Sequence, residues 1–186
     1  MRGIVIDGIG CAGKTELIAA LKVGLKTSGG FDVRELDHHE CSDQFLRYLH
    51  EYATGENILF HRSHVSELVF GKLLRNRTSF SMEEVAILDS IVSLRFVYVL
   101  AEPPSFESFL ERMVQRRSRR AFTRDEYLAV IERFREASSK IPHERYVSTT
   151  RDELASVQRR VLLTLGITTP PVSIVPISPS APNVPQ

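Results

Sequence analysis

The sequence predicts an α/β fold, a doubly wound parallel sheet of about five strands with helices on both faces. Short apolar runs of strand length alternate with segments of helical periodicity along most of the chain. These runs are apolar throughout, as in parallel strands that are covered on both faces. The length of 186 residues, of which 42% are hydrophobic, suits one buried core and is short for two. We therefore predict one domain over residues 1–167.

Each predicted element follows from the spacing of its apolar residues and from the residues that bound it. A short apolar run indicates a strand, apolar residues three and four positions apart indicate a helix, and glycine or proline ends either. The first half of the chain then contains a strand at 4–6, a helix at 16–26, a strand at 31–36, a helix at 43–53, a strand at 57–61 and a helix at 63–75.

The second half opens with a well-marked helix start. Ser81 can cap a helix while Glu84 reaches back to complete a capping box, and Phe80 and Val85 are spaced for a hydrophobic staple. The predicted elements are this helix to about residue 94, a strand at 96–100, a helix at 105–116, a helix from 123 or 124 to 138, a strand at 146–148 and a helix at 151–165.

Composition limits the partners and the setting of the protein. The net charge of +1 gives no global argument for binding nucleic acid or an acidic membrane surface, and no apolar run approaches the length of a membrane span. Cys11 and Cys41 do not form a disulfide framework or a metal cluster. We expect a cytoplasmic, soluble protein without a leader segment. Residues 168–186 are rich in proline and are expected to form a disordered or extended tail.

A glycine-bounded loop after the first strand matches the spacing G-x-x-x-x-G-K-[ST]. Backbone N–H groups of such a loop and of the helix that follows point at phosphate oxygens. Lys14 can reach the β and γ phosphates, and Thr15 can ligate Mg²⁺. We therefore predict a site for ATP and Mg²⁺. Its cofactor-binding residues are Gly8, Ile9, Gly10, Cys11, Ala12, Gly13, Lys14 and Thr15.

Four arginines lie between two predicted helices, at the turn over residues 116–122. Phosphoryl transfer concentrates negative charge on the transferred group, so a mobile arginine lid could serve it. The alternative is a solvated helix end, where the helix dipole favours cations. We favour the lid, which assigns a catalytic role to Arg116, Arg117, Arg119 and Arg120.

Four segments in this order resemble the thymidylate kinase and deoxynucleoside kinase group over about residues 2–165. They are IDGIGCAGKT, Val33-Arg34-Glu35, His61-Arg62-Ser63 and RRSRRAFTRDEYLAVIERF, and only the first is a specific motif. The resemblance implies a doubly wound P-loop fold that moves the γ-phosphoryl group of ATP to a nucleoside or nucleotide.

The same resemblance implies roles for single residues. Arg34-Glu35 matches the Arg-Glu pair of thymidylate kinases, although Leu36-Asp37-His38 replaces the Pro-Gly-Gly expected next. Glu35 is the candidate base towards a 5′ hydroxyl, with Asp37 in reserve. Arg62-Ser63 matches the Arg-Ser of deoxynucleoside kinases, and we assign Arg62 to the transferred phosphoryl group.

His61 departs from the group, which carries an acidic residue at that position. A neutral imidazole cannot replace the charge of a carboxylate near a metal. Either Asp7 or Glu102 completes the magnesium shell, or the acceptor differs, or catalysis is weakened. We favour the first reading and name Asp7, with Thr15, as a metal ligand.

A polar stripe follows Arg62 on the next predicted helix. His64, Glu67 and Gly71 are three and four residues apart, so this face either contacts the acceptor or is solvated. The predicted substrate-binding residues are Arg34, Glu35, Asp37, Arg62, His64 and Glu67.

The sequence thus predicts an ATP-dependent kinase of a nucleoside monophosphate or of a deoxynucleoside, and a homodimer is considered. A hydroxyl acceptor needs a base, whereas a monophosphate needs cations. We lean to the monophosphate because Arg34-Glu35 resembles the pair of thymidylate kinases. The alternatives are a kinase of a sugar or antibiotic hydroxyl and a nucleotide-binding protein without kinase activity.

Overall fold

Five parallel strands form a single sheet in the order β2-β3-β1-β4-β5. The computed structural model describes residues 3–26, 30–36, 43–54, 57–75, 80–117 and 122–167. The strands are β1 (Gly3–Asp7), β2 (Asp32–Glu35), β3 (Ile58–His61), β4 (Phe96–Glu102) and β5 (His143–Val147).

Seven helices flank this sheet in the part of the chain described. They are α1 (Lys14–Leu25), α2 (Gln44–Thr54), α3 (His64–Arg75), α4 (Met82–Arg95), α5 (Phe106–Gln115), α6 (Arg124–Ala137) and α7 (Arg151–Thr164). The connection from β1 to β2 runs across the sheet in one direction and the later connections run in the other. Right-handed crossovers therefore place α1 on the opposite face from α2 through α6, and α7 returns to pack against α1.

The central strands are buried because helices cover both faces. Every residue of β1 and of β4 is buried. On the α2 and α4 face, an aromatic cluster of Tyr52, Phe60 and Phe96 packs with ring centroids 5.5 to 5.6 Å apart. Burial of rings of this size is the main stabilising contribution to such a core.

The predicted fold class is confirmed, and each predicted element is present with shifted ends. The largest shift is in β5, which begins at His143 rather than at residue 146. Its first three residues are polar and not buried, at the edge of the sheet, so no apolar run indicates the start of the strand. The capping box of Ser81 and Glu84 is confirmed by both of its hydrogen bonds. The predicted tail, Asp37, Cys41, Arg119 and Arg120 lie outside the described residues.

The carboxyl ends of all five strands meet along one side of the sheet, where ligands bind in this architecture. The loop after β1, the corner between β3 and α3, and the end of β2 open on this side. Among the helices described, none combines the length and apolar character that crossing a membrane requires.

Candidate active site

The loop between β1 and α1 is a tightly packed backbone turn. Gly8 has a φ of 125°, and a side chain there would place its Cβ 2.0 Å from the Ala101 carbonyl oxygen of β4. Gly13 has a φ of 80°, and its Cβ would lie 2.6 Å from the Cβ of Ser148. Both positions require glycine because L side chains are strained at these angles and have no room. The loop therefore packs closely against the end of β4 at Gly8 and against the segment after β5 at Gly13.

The Lys14 side chain folds back into this loop. Its Nζ donates hydrogen bonds to the carbonyl oxygens of Gly8 at 2.8 Å and Ile9 at 2.7 Å. Burial lowers the pKa of Lys14 from 10.5 to about 8, and the positive charges of Arg62 and Arg116 lower it further, against the opposing effect of Asp7. A bound anion near this buried ammonium group would oppose the effect of burial and raise the pKa of Lys14 again.

Thr15 follows at the first turn of α1 and is exposed. A hydroxyl at this place fits Mg²⁺, which takes few protein ligands and otherwise binds water and substrate phosphates. Within the described residues no group of three His, Cys, Asp or Glu side chains could hold a metal ion by itself. Thr15 would therefore be one of few protein ligands if Mg²⁺ binds here.

Glu35 lies at the end of β2, beside the side chains of His61 and Arg62 at the end of the neighbouring strand β3. Its register partner is His61, whose Nδ1 lies 3.1 Å from Glu35 Oε1. Burial lowers the pKa of His61, and the charge of Lys14 lowers it further, so the ring is neutral at pH 7. Arg62 Nε lies 3.8 Å from the same Glu35 oxygen. His61 therefore orients the carboxylate of Glu35 without neutralising it. This gives a role to the histidine that stands where the kinases that this sequence resembles carry an acidic residue.

Arg34 points away from this group. Successive strand residues face opposite sides of a sheet, and Arg34 pairs with Asp32 at 3.2 Å and with Glu51 of α2 at 2.9 Å. Glu35, one residue on, faces His61 and Arg62. The two members of the Arg-Glu pair, predicted to serve one substrate, are not brought together.

Asp7 is fully buried at the end of β1 and is already surrounded by donors. Its carboxylate accepts hydrogen bonds from the Gly8 N–H at 2.8 Å and from the hydroxyls of Ser63 and Ser66. We call Asp7, Ser63 and Ser66 the Asp7 cluster. Sequence reasoning quoted Ser63 without a role and overlooked Ser66, although both lie in the His-Arg-Ser-His-Val-Ser segment.

His64 lies in the core, which corrects the prediction of a polar stripe facing either the acceptor or the solvent. The ring is fully buried, with Nδ1 3.0 Å from the Tyr52 hydroxyl and Nε2 3.0 Å from Asp89 Oδ1. Glu67 is also buried. His64, at the first residue of α3, is enclosed by contacts with Tyr52 of α2 and Asp89 of α4, so spacing on one helix face does not reveal exposure.

Arg112, which sequence reasoning missed, joins the loop of residues 8–15 to the segment after β5. We call this loop the phosphate loop, after the role that its sequence predicts. Its guanidinium donates to the Cys11 carbonyl at 3.1 Å, to Ser148 Oγ at 2.7 Å and to the Ser148 carbonyl at 2.8 Å. It precedes Arg116 by four residues on α5, so helical spacing from the predicted lid could have indicated it.

A cleft of about 320 Å³ opens beside these residues, next to the phosphate loop. Arg112 and Arg116 line one side, and Arg116 lies 3.8 Å from Glu16 of α1. The other lining residues come from α1, from the end of β5 and from the start of α7 and include Gly13, Tyr146, Ser148 and Arg151. Arg117, beside Arg116, is exposed and has a φ of 51°.

Glu102, the other candidate for the magnesium shell, is occupied by two arginines. Arg135 donates to both of its oxygens at 2.7 and 2.8 Å, and Arg145 donates at 2.6 Å. These ion pairs lower the pKa of Glu102 although burial alone would raise it. Its charge is therefore used to join α6 and β5 to the end of β4.

Solved structures of low sequence identity share this architecture, whereas no protein-family model and no curated protein sequence matches the chain. The YorR protein of Bacillus subtilis, solved in complex with phosphorylated GDP, is 15% identical with a TM-score of 0.68, covering 88% of this chain and 95% of that one. Deoxyadenosine kinase of M. mycoides with bound dCTP is 13% identical with a TM-score of 0.51, covering 85% and 97%. The same kinase with dCMP and dCDP bound gives 14% and 0.51. At such identity the likeness shows the fold alone, a doubly wound parallel sheet that this chain shares with these solved structures, as the sequence predicts.

Proposed function

We propose that the protein transfers the γ-phosphoryl group of ATP to the 5′ hydroxyl of a nucleoside. The observation that carries this proposal is the position of Glu35, a carboxylate held by His61 and placed beside Arg62 at the carboxyl end of β2, on the same side of the sheet as the phosphate loop and separated from β1 by β3. A hydroxyl acceptor must lose a proton during transfer, and a fixed carboxylate within reach can accept it.

The donor half of the site supports ATP. The loop of residues 8–15 and Lys14 would bind the phosphates, and the cleft lined by Arg112 and Arg116 would take the base. Its volume of about 320 Å³ lies at the lower end of small-molecule pockets. Thr15 would hold Mg²⁺, which neutralises charge on the phosphates when it is bound.

In the proposed mechanism, Glu35 takes the proton of the acceptor hydroxyl as the hydroxyl oxygen attacks the γ-phosphorus of ATP. The bond between that phosphorus and the oxygen that bridges it to the β-phosphate breaks, and ADP leaves with this oxygen. Lys14 and Arg62 would stabilise the charge on the transferred group, and the charge of Arg62 is among the causes that lower the pKa of Lys14. Arg116, Arg117, Arg119 and Arg120 stay predicted lid residues that add to this charge stabilisation.

A nucleoside monophosphate is the second candidate acceptor. In its favour, the positive charge of Arg62 acts on Lys14, and an ionised phosphate needs cations and no base. The sequence favours a monophosphate through the Arg34-Glu35 pair, but Arg34 faces α2 and not Glu35's neighbours. For that reason we propose a nucleoside hydroxyl as the acceptor in preference to a monophosphate.

A panel of nucleosides and nucleoside monophosphates tests the proposal. Each would be incubated with the protein, Mg²⁺ and ATP, and ADP release and the phosphorylated acceptor would be measured. We expect at least one nucleoside to raise ADP release well above hydrolysis without acceptor. Release raised by monophosphates alone would favour the second candidate, and release raised by neither would contradict a nucleoside kinase.

ATP binding should take up a proton at mildly alkaline pH. In the free protein Lys14 has a pKa of about 8, and bound phosphates should raise it. Affinity for ATP should therefore fall as the pH rises above about 8, and roughly half a proton should be taken up near that pH. Calorimetric titrations at one pH in buffers of different ionisation enthalpy measure this uptake. An equal uptake by the Lys14→Met variant would assign the proton to another group.

A further inference from the structure

The carboxylate of Asp7 has little capacity left for a further ligand. It is fully buried and accepts from the Gly8 N–H and from the hydroxyls of Ser63 and Ser66. A carboxylate offers about four lone-pair sites, so three donors use most of them. A buried carboxylate also needs such donors, because an unpaired charge away from water is costly.

These donors belong to two different parts of the site. Gly8 opens the phosphate loop, whereas Ser63 and Ser66 belong to the start of α3, directly after Arg62. Ser63 Oγ also accepts from the Val65 N–H at 3.1 Å, as an N-terminal capping residue does. The Asp7 charge thus lies at the N-terminus of α3, where the helix dipole favours an anion.

Arg62 adopts a backbone conformation that needs support. Its φ of 78° lies in the left-handed region, which costs a non-glycine residue about 1–3 kcal/mol. The Arg62 N–H donates to the Ile6 carbonyl of β1 at 2.9 Å, and the Asp7 cluster holds the next residues. Such strain persists where the surroundings fix the conformation. The arginine is therefore held between β1 and the cluster.

We infer that Asp7 is a positioning residue, which fixes Arg62 and the start of the phosphate loop relative to each other through Ser63 and Ser66. This inference rests on the proposed function, in which Arg62 contacts the transferred phosphoryl group. It also differs from the sequence-based expectation that Asp7 ligates Mg²⁺. In this role the Asp7 carboxylate binds donors of the protein itself, and of the two predicted metal ligands only Thr15 would contact the metal.

Three variants test the inference: Asp7→Asn, Ser63→Ala and Ser66→Ala. We expect each to lower kcat by about ten- to a hundredfold, since a displacement of about 1 Å at a reacting centre has effects of that size. The KM for ATP and the Mg²⁺ concentration that gives half of the maximal rate should stay within about twofold of the parent values, because none of the three touches the nucleotide. Combining Asp7→Asn with Ser63→Ala should cost little more than Asp7→Asn alone, since both remove the same contact.

Ser138→Ala is a matched control. Ser138 is a fully buried serine at the end of α6, and its hydroxyl donates to the Phe134 carbonyl at 2.8 Å, away from the strand ends that form the site. It should lose thermal stability to an extent comparable with Ser66→Ala and keep its kcat. A parallel loss of kcat in this control would attribute the effect of the cluster to stability alone and overturn the inference.

A metal-ligand role for Asp7 predicts a different result. Asp7→Asn would then raise the Mg²⁺ requirement, while both serine variants would retain kcat, and that result overturns the inference. If Asp7→Asn does not fold, the two serine variants decide by their kcat.

Amide hydrogen exchange separates this inference from the proposed function. The Gly8 and Arg62 N–H groups should exchange faster in Ser63→Ala and Ser66→Ala than in the parent protein, with or without an identified acceptor. If the parent transfers phosphoryl to no acceptor, the proposed function fails while the exchange rates still test the positioning. Unchanged rates would overturn the positioning whatever the acceptor panel shows.

Discussion

Lys14→Ala should lower the rate of phosphoryl transfer by about a hundred- to a thousandfold while the protein stays folded. Lys14 supplies a buried charge aimed at the phosphate loop, and removing one such group from a transition state commonly costs that much. Single-turnover transfer from radiolabelled ATP measures the rate, and circular dichroism reports the fold. Lys22→Ala is the control, because it removes an exposed lysine from the same helix. Full transfer by Lys14→Ala would remove the loop from the mechanism.

The stability of Lys14 variants should depend on pH with a defined sign. The folded-state pKa of about 8 lies below the ordinary 10.5, so keeping the ammonium charged in the folded protein costs free energy below pH 8. That cost is relieved as the pH rises from about 8 to 10.5, where the amine is neutral in the folded state. The parent protein should therefore gain unfolding free energy relative to Lys14→Met over this range. Urea unfolding of both proteins at several pH values tests the trend, and a constant difference would contradict the lowered pKa.

Glu35→Gln should lower kcat for a nucleoside acceptor by about a hundred- to ten-thousandfold, the usual contribution of a general base. The amide keeps the size of the side chain and its place beside His61 but cannot accept the proton. The loss should be much smaller with a monophosphate acceptor, whose oxygen is already ionised. Rates with both acceptor types in the same variant measure the difference. Equal losses with both would mean that Glu35 only binds the acceptor.

Arg34→Gln provides the partner experiment for Glu35. Because Arg34 faces Asp32 and Glu51, its replacement should change transfer by less than about twofold, as expected for an exposed ion pair. A large loss of monophosphate phosphorylation in this variant would restore the thymidylate kinase-like interpretation of the Arg-Glu pair.

The fold could be predicted from the sequence because its signals are local. Apolar runs marked the buried strands β1 and β4, and the Ser81 capping box marked the start of α4. β5 was predicted too short, since an edge strand with exposed polar residues has no apolar run to reveal it. Local patterns thus succeed where burial is complete and fail where it is partial.

The site was harder to predict because its arrangement depends on contacts between distant segments. Asp7 meets Ser63 and Ser66, which follow 56 and 59 residues later. Arg112 meets Cys11 across 101 residues. His64 belongs to a polar segment of the sequence and is nevertheless in the core, because Asp89 of a later helix provides a hydrogen-bond partner for its ring. No spacing rule within one element contains these pairings.

The central place of β1 has a consequence for synthesis of the chain. This strand is made before both of its neighbours in the sheet, β3 and β4, which end at residues 61 and 102. At about 5–20 residues per second, a ribosome needs roughly 5–20 seconds to reach β4 after β1. Gly8 packs on Ala101, so the phosphate loop acquires its support only then. During that interval the apolar residues of β1 lack one of the two strands that pair with them in the folded sheet.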